Sequence, residues 1–311
     1  MTGSPLPETG EHGESRALPF IEQRNIHPVL FAFLCLAVIF ILYQVVGGVV
    51  AFFLTGGAMV TPQNVNLVRL FTLLGQVFLI FVPTLFLARL LSKDQREIFP
   101  LRAPSWRESL SAVIALLSLQ RVFEAYVYVQ DSLAIPEFIR KLIDPIRQMM
   151  DQMVKALIHS GSAPEFFYVV VVVALVPCIV EEFLFRGLIQ KSFDRVASPL
   201  TSAILTGTIF GLFHLNPFEA IPLIGIGCFL GILRYRSASI LLPVLMHFLN
   251  NLLAVIATTL RIEDEKIMLA PATDQPGTII ILSQFLLFGA LFWASMRFYF
   301  QVTERVVKNQ P

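Results

Sequence analysis

Charge is scarce in this sequence of 311 residues, of which only 14% are Asp, Glu, Lys or Arg. Soluble globular domains contain about 25% of these residues. The composition therefore excludes a water-soluble fold and predicts a chain that crosses the lipid bilayer several times. The formal net charge is +1, and no basic block with interleaved aromatic residues occurs. We therefore predict no nucleic-acid partner.

Cysteine is scarce too, and the three that are present, Cys35, Cys178 and Cys228, all fall in apolar runs. An odd number of cysteines without metal-ligand spacing predicts neither a disulfide framework nor a cysteine-based metal site. We interpret all three as small packing residues.

Long apolar runs are what the sequence has in abundance. Windows of about 20 apolar residues are typical of transmembrane helices, and here they predict an all-α polytopic membrane protein with about eight such helices. The predicted spans are residues 28–54, 66–91, 108–130, 164–191, 199–215, 218–235, 239–260 and 279–300. The fifth and sixth spans are short, and Asn216 and Pro217 separate them.

The predicted spans divide the chain into four parts. These are a polar tail (1–26), the first membrane helices (27–163), a core (164–260), and a loop with the last span and the C-terminal tail (261–311). Lys and Arg cluster in loops that all share one side of the membrane if both termini are cytoplasmic. This pattern predicts a multi-pass protein of the plasma (inner) membrane with both termini in the cytoplasm.

Residues 137–158 interrupt the series of spans. Their apolar side chains recur at helical spacing, with Arg, Lys and Asp between them. This pattern is typical of an amphipathic helix that lies in the membrane interface, and the order of the spans places it on the outer face. The alternative is a lid over a cavity, and the sequence leaves both open.

Polar side chains inside the later spans are the most informative feature of the sequence. An ionised group at mid-bilayer costs about 2.5–3.5 kcal/mol, so such groups usually face a cavity and have a function there. With a rise of about 1.5 Å per residue, the polar groups on three spans lie roughly 12–22 Å below the cytoplasmic surface. We therefore expect them to gather around one cavity that opens to the cytoplasm. They are Glu181, Glu182, Arg186, His214, His247 and Asn251.

The spacing of these residues predicts which of them share a helix face. Glu182 and Arg186 are four residues apart and can form an ion pair, and His247 and Asn251 have the same spacing. Pro177 should distort the helix one turn before Glu181.

Other features of the spans have structural interpretations. Arg121 and Glu124 are interpreted as a structural pair in the third span. The spacing of Gly207 with Gly211, and of Gly227 with Gly231, predicts close packing of the fifth and sixth spans.

The chemistry of these residues favours hydrolysis. A carboxylate beside a neutral imidazole can deprotonate a water molecule, and a second histidine with an asparagine can stabilise an oxyanion. Two histidines and one glutamate could instead form a catalytic zinc shell. The sequence has no His-Glu-x-x-His motif and no Gly-x-Ser-Gly nucleophile in a span.

Three ordered motifs resemble those of the CPBP family, which comprises type II CAAX prenyl proteases and their bacteriocin-processing, Abi-like relatives. The resemblance covers about residues 164–255. The motifs are EExxxR at Glu181, Glu182 and Arg186, FxxxH at Phe210 and His214, and HxxxN at His247 and Asn251.

The resemblance implies an intramembrane endopeptidase of eight helices with a cavity open to the cytoplasm, and makes 164–260 its catalytic core. It implies that Glu181 with His214 activates the water, and that His247 with Asn251 stabilises the oxyanion. Glu182, Arg186 and Phe210 would support the site. A metal-free glutamic mechanism is favoured. If zinc were required, its ligands would be Glu181, His214 and His247.

The implied substrates are membrane-associated or CAAX-like proteins and peptides. One alternative is a non-catalytic immunity or scaffold protein of the same family. Another is a proton-coupled transporter that uses the same carboxylates, although the sequence has no inverted pair of broken helices.

Overall fold

The computed structural model of the protein describes residues 18–57, 60–260 and 277–309. Among these residues, seven helices are long and apolar enough to cross a membrane, and an eighth apolar helix is shorter. The predicted all-α polytopic membrane fold is therefore confirmed. The predicted tail up to residue 17 and the loop at 261–276 lie outside the described residues.

The main helices are labelled in chain order. They are α1 (Pro28–Thr55), α2 (Val65–Leu91), α3 (Trp106–Ser132), α4 (Glu137–Ile158), α5 (Ala163–Asp194), α6 (Pro199–Phe213), α7 (Ala220–Ser237), α8 (Leu241–Thr259) and α9 (Thr278–Val302). Short helices at Phe20–Gln23, Gln95–Ile98 and Glu304–Lys308 accompany them.

Local sequence signals set several helix ends. Ser105 and Glu108 form a reciprocal capping box at the start of α3. The side chains of Ser162 and Ser198 cap α5 and α6, which both have proline in the first turn. Gly56 ends α1 in the left-handed conformation, with φ of 78°. These ends depend on short-range hydrogen bonds and so are readable from sequence.

Two apolar clusters form the core. One joins α1, α2, α5 and α6, and includes Ile39, Leu184 and Phe210. The other joins α3, α7, α8 and α9, and includes Leu116 and Met246. Phe210 is one turn from His214, and Met246 precedes His247, so the polar residues of the later spans adjoin both clusters.

Helices α6 and α7 make the closest packing, as their glycine spacing predicted. A Cβ atom built on Gly207 would lie 2.3 Å from the backbone nitrogen of Cys228. One built on Gly231 would lie 2.9 Å from the carbonyl oxygen of Ala203. The two backbones are therefore in contact, with no room for a side chain between them.

We expect Gly207→Ala to destabilise the protein by about 1–3 kcal/mol, because the added methyl group would push α6 and α7 apart. Gly48→Ala in α1 is the matched control, since nothing lies within 4 Å of a Cβ built there. Thermal unfolding of the purified protein in detergent measures both. Equal unfolding temperatures for the two variants would contradict the packing argument.

Helix α4 has the predicted amphipathic pattern, and none of its residues is buried. Its apolar side chains are exposed, with Phe138 at 76% and Leu142 at 70%. The helix is fixed at its C-terminal end by Arg69 of α2, a buried residue that donates to the carbonyl groups of Ala156, Leu157 and His159. Its role as an interfacial helix or a lid stays a prediction.

Different loops lie at the two ends of the bundle. At one end, which we call the basic end, Arg102 donates to the carbonyl oxygen of Ser237 at 2.6 Å, and Ile240 donates to that of Pro100. At the other, the α4 end, the guanidinium of Arg147 lies 5.8 Å from the ring centre of Phe218. The loops at 92–105 and 214–219 therefore lie at opposite ends.

Candidate active site

The two glutamates of α5 lie between two π-helical stretches, Val170–Leu175 and Phe183–Ile189. Such wide turns are frequent at functional sites. Adjacent residues of a helix are rotated by about 100° from one another, so the two carboxylates face different surroundings. The side chain of Glu181 is 19% exposed, whereas that of Glu182 is completely buried.

Glu181 faces both histidines. Its Oε2 atom lies 3.9 Å from Nε2 of His214 and 4.0 Å from Nε2 of His247. These distances are too long for direct hydrogen bonds, and they are of the size that one small polar molecule can bridge. The Oε2 atom is buried and has no hydrogen-bond partner among the described residues. The structure thus brings together one acid and two imidazoles from α5, α8 and the end of α6.

Glu182 orients His247 and is itself paired with Arg186. Nδ1 of His247 lies 2.9 Å from Oε1 of Glu182, and Nη1 of Arg186 donates to the same oxygen at 2.9 Å. Nη2 of Arg186 donates to the carbonyl oxygen of Gly227 in α7 at 2.9 Å. The predicted pair of Glu182 and Arg186 is confirmed. Its contact with His247 was not predicted from the sequence.

His214 directly follows the last residue of α6, and its side chain is hydrogen-bonded to the backbone one turn earlier. Its Nδ1 atom lies 2.8 Å from the carbonyl oxygen of Phe210. Because a carbonyl only accepts, Nδ1 carries the proton, and a neutral ring then presents the lone pair of Nε2 towards Glu181. Leu215 follows with φ of 54°, a left-handed conformation that is uncommon for a branched residue. The chain therefore turns away directly after His214.

Phe210 is the apolar centre of the site. Its ring centroid lies 4.6 Å from that of His214 and 5.7 Å from that of His247, both edge to face. The guanidinium carbon of Arg186 lies 4.6 Å from the same ring centroid. Phe210 therefore packs against Arg186 and both imidazoles, and it restricts both rings.

Asn251 lies one turn after His247 on the same face of α8. Its Nδ2 atom donates to the carbonyl oxygen of Val173 in α5 at 3.3 Å, and its Oδ1 atom accepts from Asn250 at 3.2 Å. Within the described part of the chain, its hydrogen bonds do not go to Glu181 or to either histidine. Asn251 is thus at the margin of the acid and imidazole cluster.

Two residues of the first spans belong to the surroundings of Glu181 and were missed in the sequence. Tyr43 of α1 lies near enough to Glu181, and to Gln76 of α2, to interact with both side chains. Gln76 is buried. An amide side chain in an apolar span was the signal that could have indicated this position.

The accessible edge of the site lies towards the α4 end. In α5, all residues from Leu184 to Gln190, which follow the glutamates towards the basic end, are buried. The side chain of His214, by contrast, is 31% exposed. Glu219 lies in the loop that follows His214, and its pKa is raised by burial and by the charge of Asp151 in α4. This loop therefore lies close to α4. The outer position of α4 and the opening of the site to the cytoplasm both stay predictions.

The three candidate zinc ligands do not fit a tetrahedral zinc ion in this conformation. Zinc holds nitrogen and oxygen ligands at about 2.0–2.2 Å, so two ligands of a tetrahedral zinc ion lie roughly 3.3–3.6 Å apart. The separations of Glu181 from His214 and His247, 3.9 and 4.0 Å, are longer. Among the described residues, no group of three or more His, Cys, Asp or Glu side chains could hold a metal ion.

The fold and this cluster define a class of protein, a polytopic membrane protein with one carboxylate and two imidazoles gathered among its helices. Residues 163–253 match the family model described as type II CAAX prenyl endopeptidase Rce1-like. The resemblance seen in the three motifs is therefore confirmed, and the similarity of this part of the chain supports a CAAX-type intramembrane endopeptidase in general. No curated protein and no solved structure matches the chain.

Proposed function

We propose that this protein hydrolyses peptide bonds of membrane-associated, CAAX-like substrates with a water molecule that Glu181 activates. One observation carries the proposal: the unpartnered Oε2 atom of Glu181 faces the Nε2 atoms of His214 and His247 at 3.9 and 4.0 Å. A water molecule between these groups would donate one hydrogen to the carboxylate and the other to Nε2 of His214. Its oxygen lone pair would then be free to attack.

The reaction balances with these residues alone. The water oxygen bonds to the carbonyl carbon of the scissile peptide, and one water proton passes to Glu181. As the carbon–nitrogen bond breaks, Glu181 returns that proton to the leaving amine. The products are a new carboxyl terminus and a new amino terminus, and Glu181 is regenerated as a carboxylate.

The tetrahedral oxyanion needs donors, and His247 with Asn251 would supply them. Because Nδ1 of His247 contacts the carboxylate of Glu182 at 2.9 Å, this nitrogen carries a proton. His247 can then donate from Nε2 only as an imidazolium, which the adjacent carboxylate stabilises. Glu182 thus acts on the reaction through His247, and Arg186 pairs with the same carboxylate at 2.9 Å.

Hydrolysis of a farnesylated peptide that ends in a CAAX sequence tests this function. We expect the purified full-length protein in liposomes to cleave it, with mass spectrometry locating the broken bond. The His214→Ala variant, matched in expression and folding, should lose at least about a hundredfold in kcat, because the water loses its second acceptor.

The non-catalytic alternative makes the opposite prediction. A scaffold or immunity protein would restore a null strain even when Glu181, His214 and His247 are all replaced by alanine. Full complementation by that triple variant, with no cleavage by the wild-type protein, would overturn the proposed function.

A further inference from the structure

A chain of three side-chain amides connects α3 to the candidate active site. Nε2 of Gln120 in α3 donates to Oδ1 of Asn250 at 3.1 Å, and Nδ2 of Asn250 donates to Oδ1 of Asn251 at 3.2 Å. Nδ2 of Asn251 donates to the carbonyl oxygen of Val173 at 3.3 Å. We call Gln120, Asn250 and Asn251 the amide relay.

The last acceptor of the relay lies near a proline. Val173 is in the π-helical stretch Val170–Leu175, and Pro177, four residues later, has no N–H group to donate to its carbonyl. The side chain of Asn251 supplies a donor to Val173 from the neighbouring helix, as Asn side chains do between membrane helices.

A backbone carbonyl can only accept a hydrogen bond, and this single fact determines the direction of the whole relay. The NH₂ group of Asn251 must face Val173, so its oxygen faces Asn250. Asn250 must then present its own NH₂ group to Asn251 and its oxygen to Gln120. Gln120 must donate. Reversal of any one amide would place two oxygens or two NH₂ groups against each other.

We propose that Gln120 and Asn250 are positioning residues that hold the amide of Asn251 with its NH₂ group towards α5. This inference rests on the proposed oxyanion role of Asn251. One hydrogen of that NH₂ group bonds to Val173, and the second is then directed to the site as the donor. Gln120 lies outside the matched residues 163–253, so the family resemblance did not assign it.

Two charged variants at one position separate the direction of the relay from packing. Gln120→Lys still donates to Asn250. Gln120→Glu can only accept once its carboxyl group is ionised, and it then forces Asn250 and Asn251 to reverse. Both introduce one charge at the same half-buried position. With the farnesylated CAAX peptide we expect Gln120→Glu to lower kcat roughly tenfold to a hundredfold, with little change in KM. Gln120→Lys should lose at most about threefold.

Asn250→Asp tests the middle of the relay with almost no change in shape. An ionised aspartate still accepts from Gln120, but it cannot donate to Asn251. We expect the same loss of kcat as for Gln120→Glu. Equal kcat values for the Lys and Glu variants at residue 120, or unchanged activity of Asn250→Asp, would overturn the relay.

A second measurement does not depend on activity. Gln120→Glu should lower the thermal unfolding temperature in the wild-type background but much less in an Asn251→Ala background, where Asn250 is free to reverse. An equal loss in both backgrounds would refute the relay even if no peptide were cleaved. Absence of cleavage by the wild-type protein, with the unfolding difference present, would refute the proposed function and leave the relay supported.

Discussion

Replacing Glu181 with Gln is expected to lower kcat for peptide hydrolysis by about a thousandfold. The substitution preserves the size of the side chain but removes the carboxylate that accepts the proton of the water. The amide would also present an NH₂ group to the Nε2 atoms of His214 and His247. In the wild-type protein these atoms lie 3.9 and 4.0 Å from Oε2 of Glu181. Steady-state kinetics with the farnesylated CAAX peptide measures the loss.

Folding must be unaffected for this result to identify the base. Glu181 is partly exposed and has no ion pair with a Lys or Arg among the residues that the structure describes, so Glu181→Gln should unfold at nearly the wild-type temperature. Glu124→Gln in α3 is the matched control, because that carboxylate pairs with Arg121 on an exposed face. The control should retain full activity. Wild-type turnover by Glu181→Gln would end the assignment of the base.

Arg186→Met is expected to cost about 3–5 kcal/mol of stability, because it leaves the carboxylate of Glu182 buried without its cation. Both side chains are 0% exposed, and Nη1 of Arg186 lies 2.9 Å from Oε1 of Glu182. The same substitution removes the donor to the carbonyl of Gly227 and so loosens α5 from α7. Thermal unfolding and the yield of membrane-inserted protein both measure the effect.

A double variant separates the charge from the packing. In Glu182→Gln with Arg186→Met the unpaired charge is gone, so most of the lost stability should return. Activity should not return, because His247 would lack the carboxylate that stabilises its imidazolium. Arg121→Met is the control for loss of an arginine. Its pair is exposed, and we expect a change below about 1 kcal/mol. A mild effect of Arg186→Met alone would contradict the argument.

Several contacts of the site could not be derived from the sequence, although their residues were visible in it. The spacing of Glu182 and Arg186 predicted their ion pair. That pair alone explained a buried charge at Glu182, so nothing in the sequence indicated another partner. Its second contact, with His247, depends on how α5 and α8 are rotated against each other. The two π-helical stretches of α5 change the direction in which its later side chains point, and the packing of the helices, not the local sequence, sets that direction.

The side on which the site opens shows the same limit. The depth estimates assumed that each span begins at the same level and runs straight through the membrane. Helix α6 has only 15 residues, and the loop that follows His214 contacts α4 through Phe218. The relative heights of the helices, which no local pattern encodes, place the accessible edge at the α4 end.

Residues from the first spans illustrate a third limit. Tyr43, Gln76 and Gln120 are polar side chains within apolar spans. Such a side chain is as often a packing contact between helices as part of a site. Only their proximity to Glu181 or to Asn251 distinguishes the two cases.

Hydropathy and local spacing were sufficient to determine the class of fold, the positions of the spans, the amphipathic character of α4 and the residues of the three motifs. These properties depend on the transfer of each segment into lipid and on contacts within one or two helical turns. Tertiary structure alone decided that Glu182 orients His247, that three amides align towards Val173 and that the site lies near α4. Each of these depends on the rotation and height of one helix against another, which long-range packing sets.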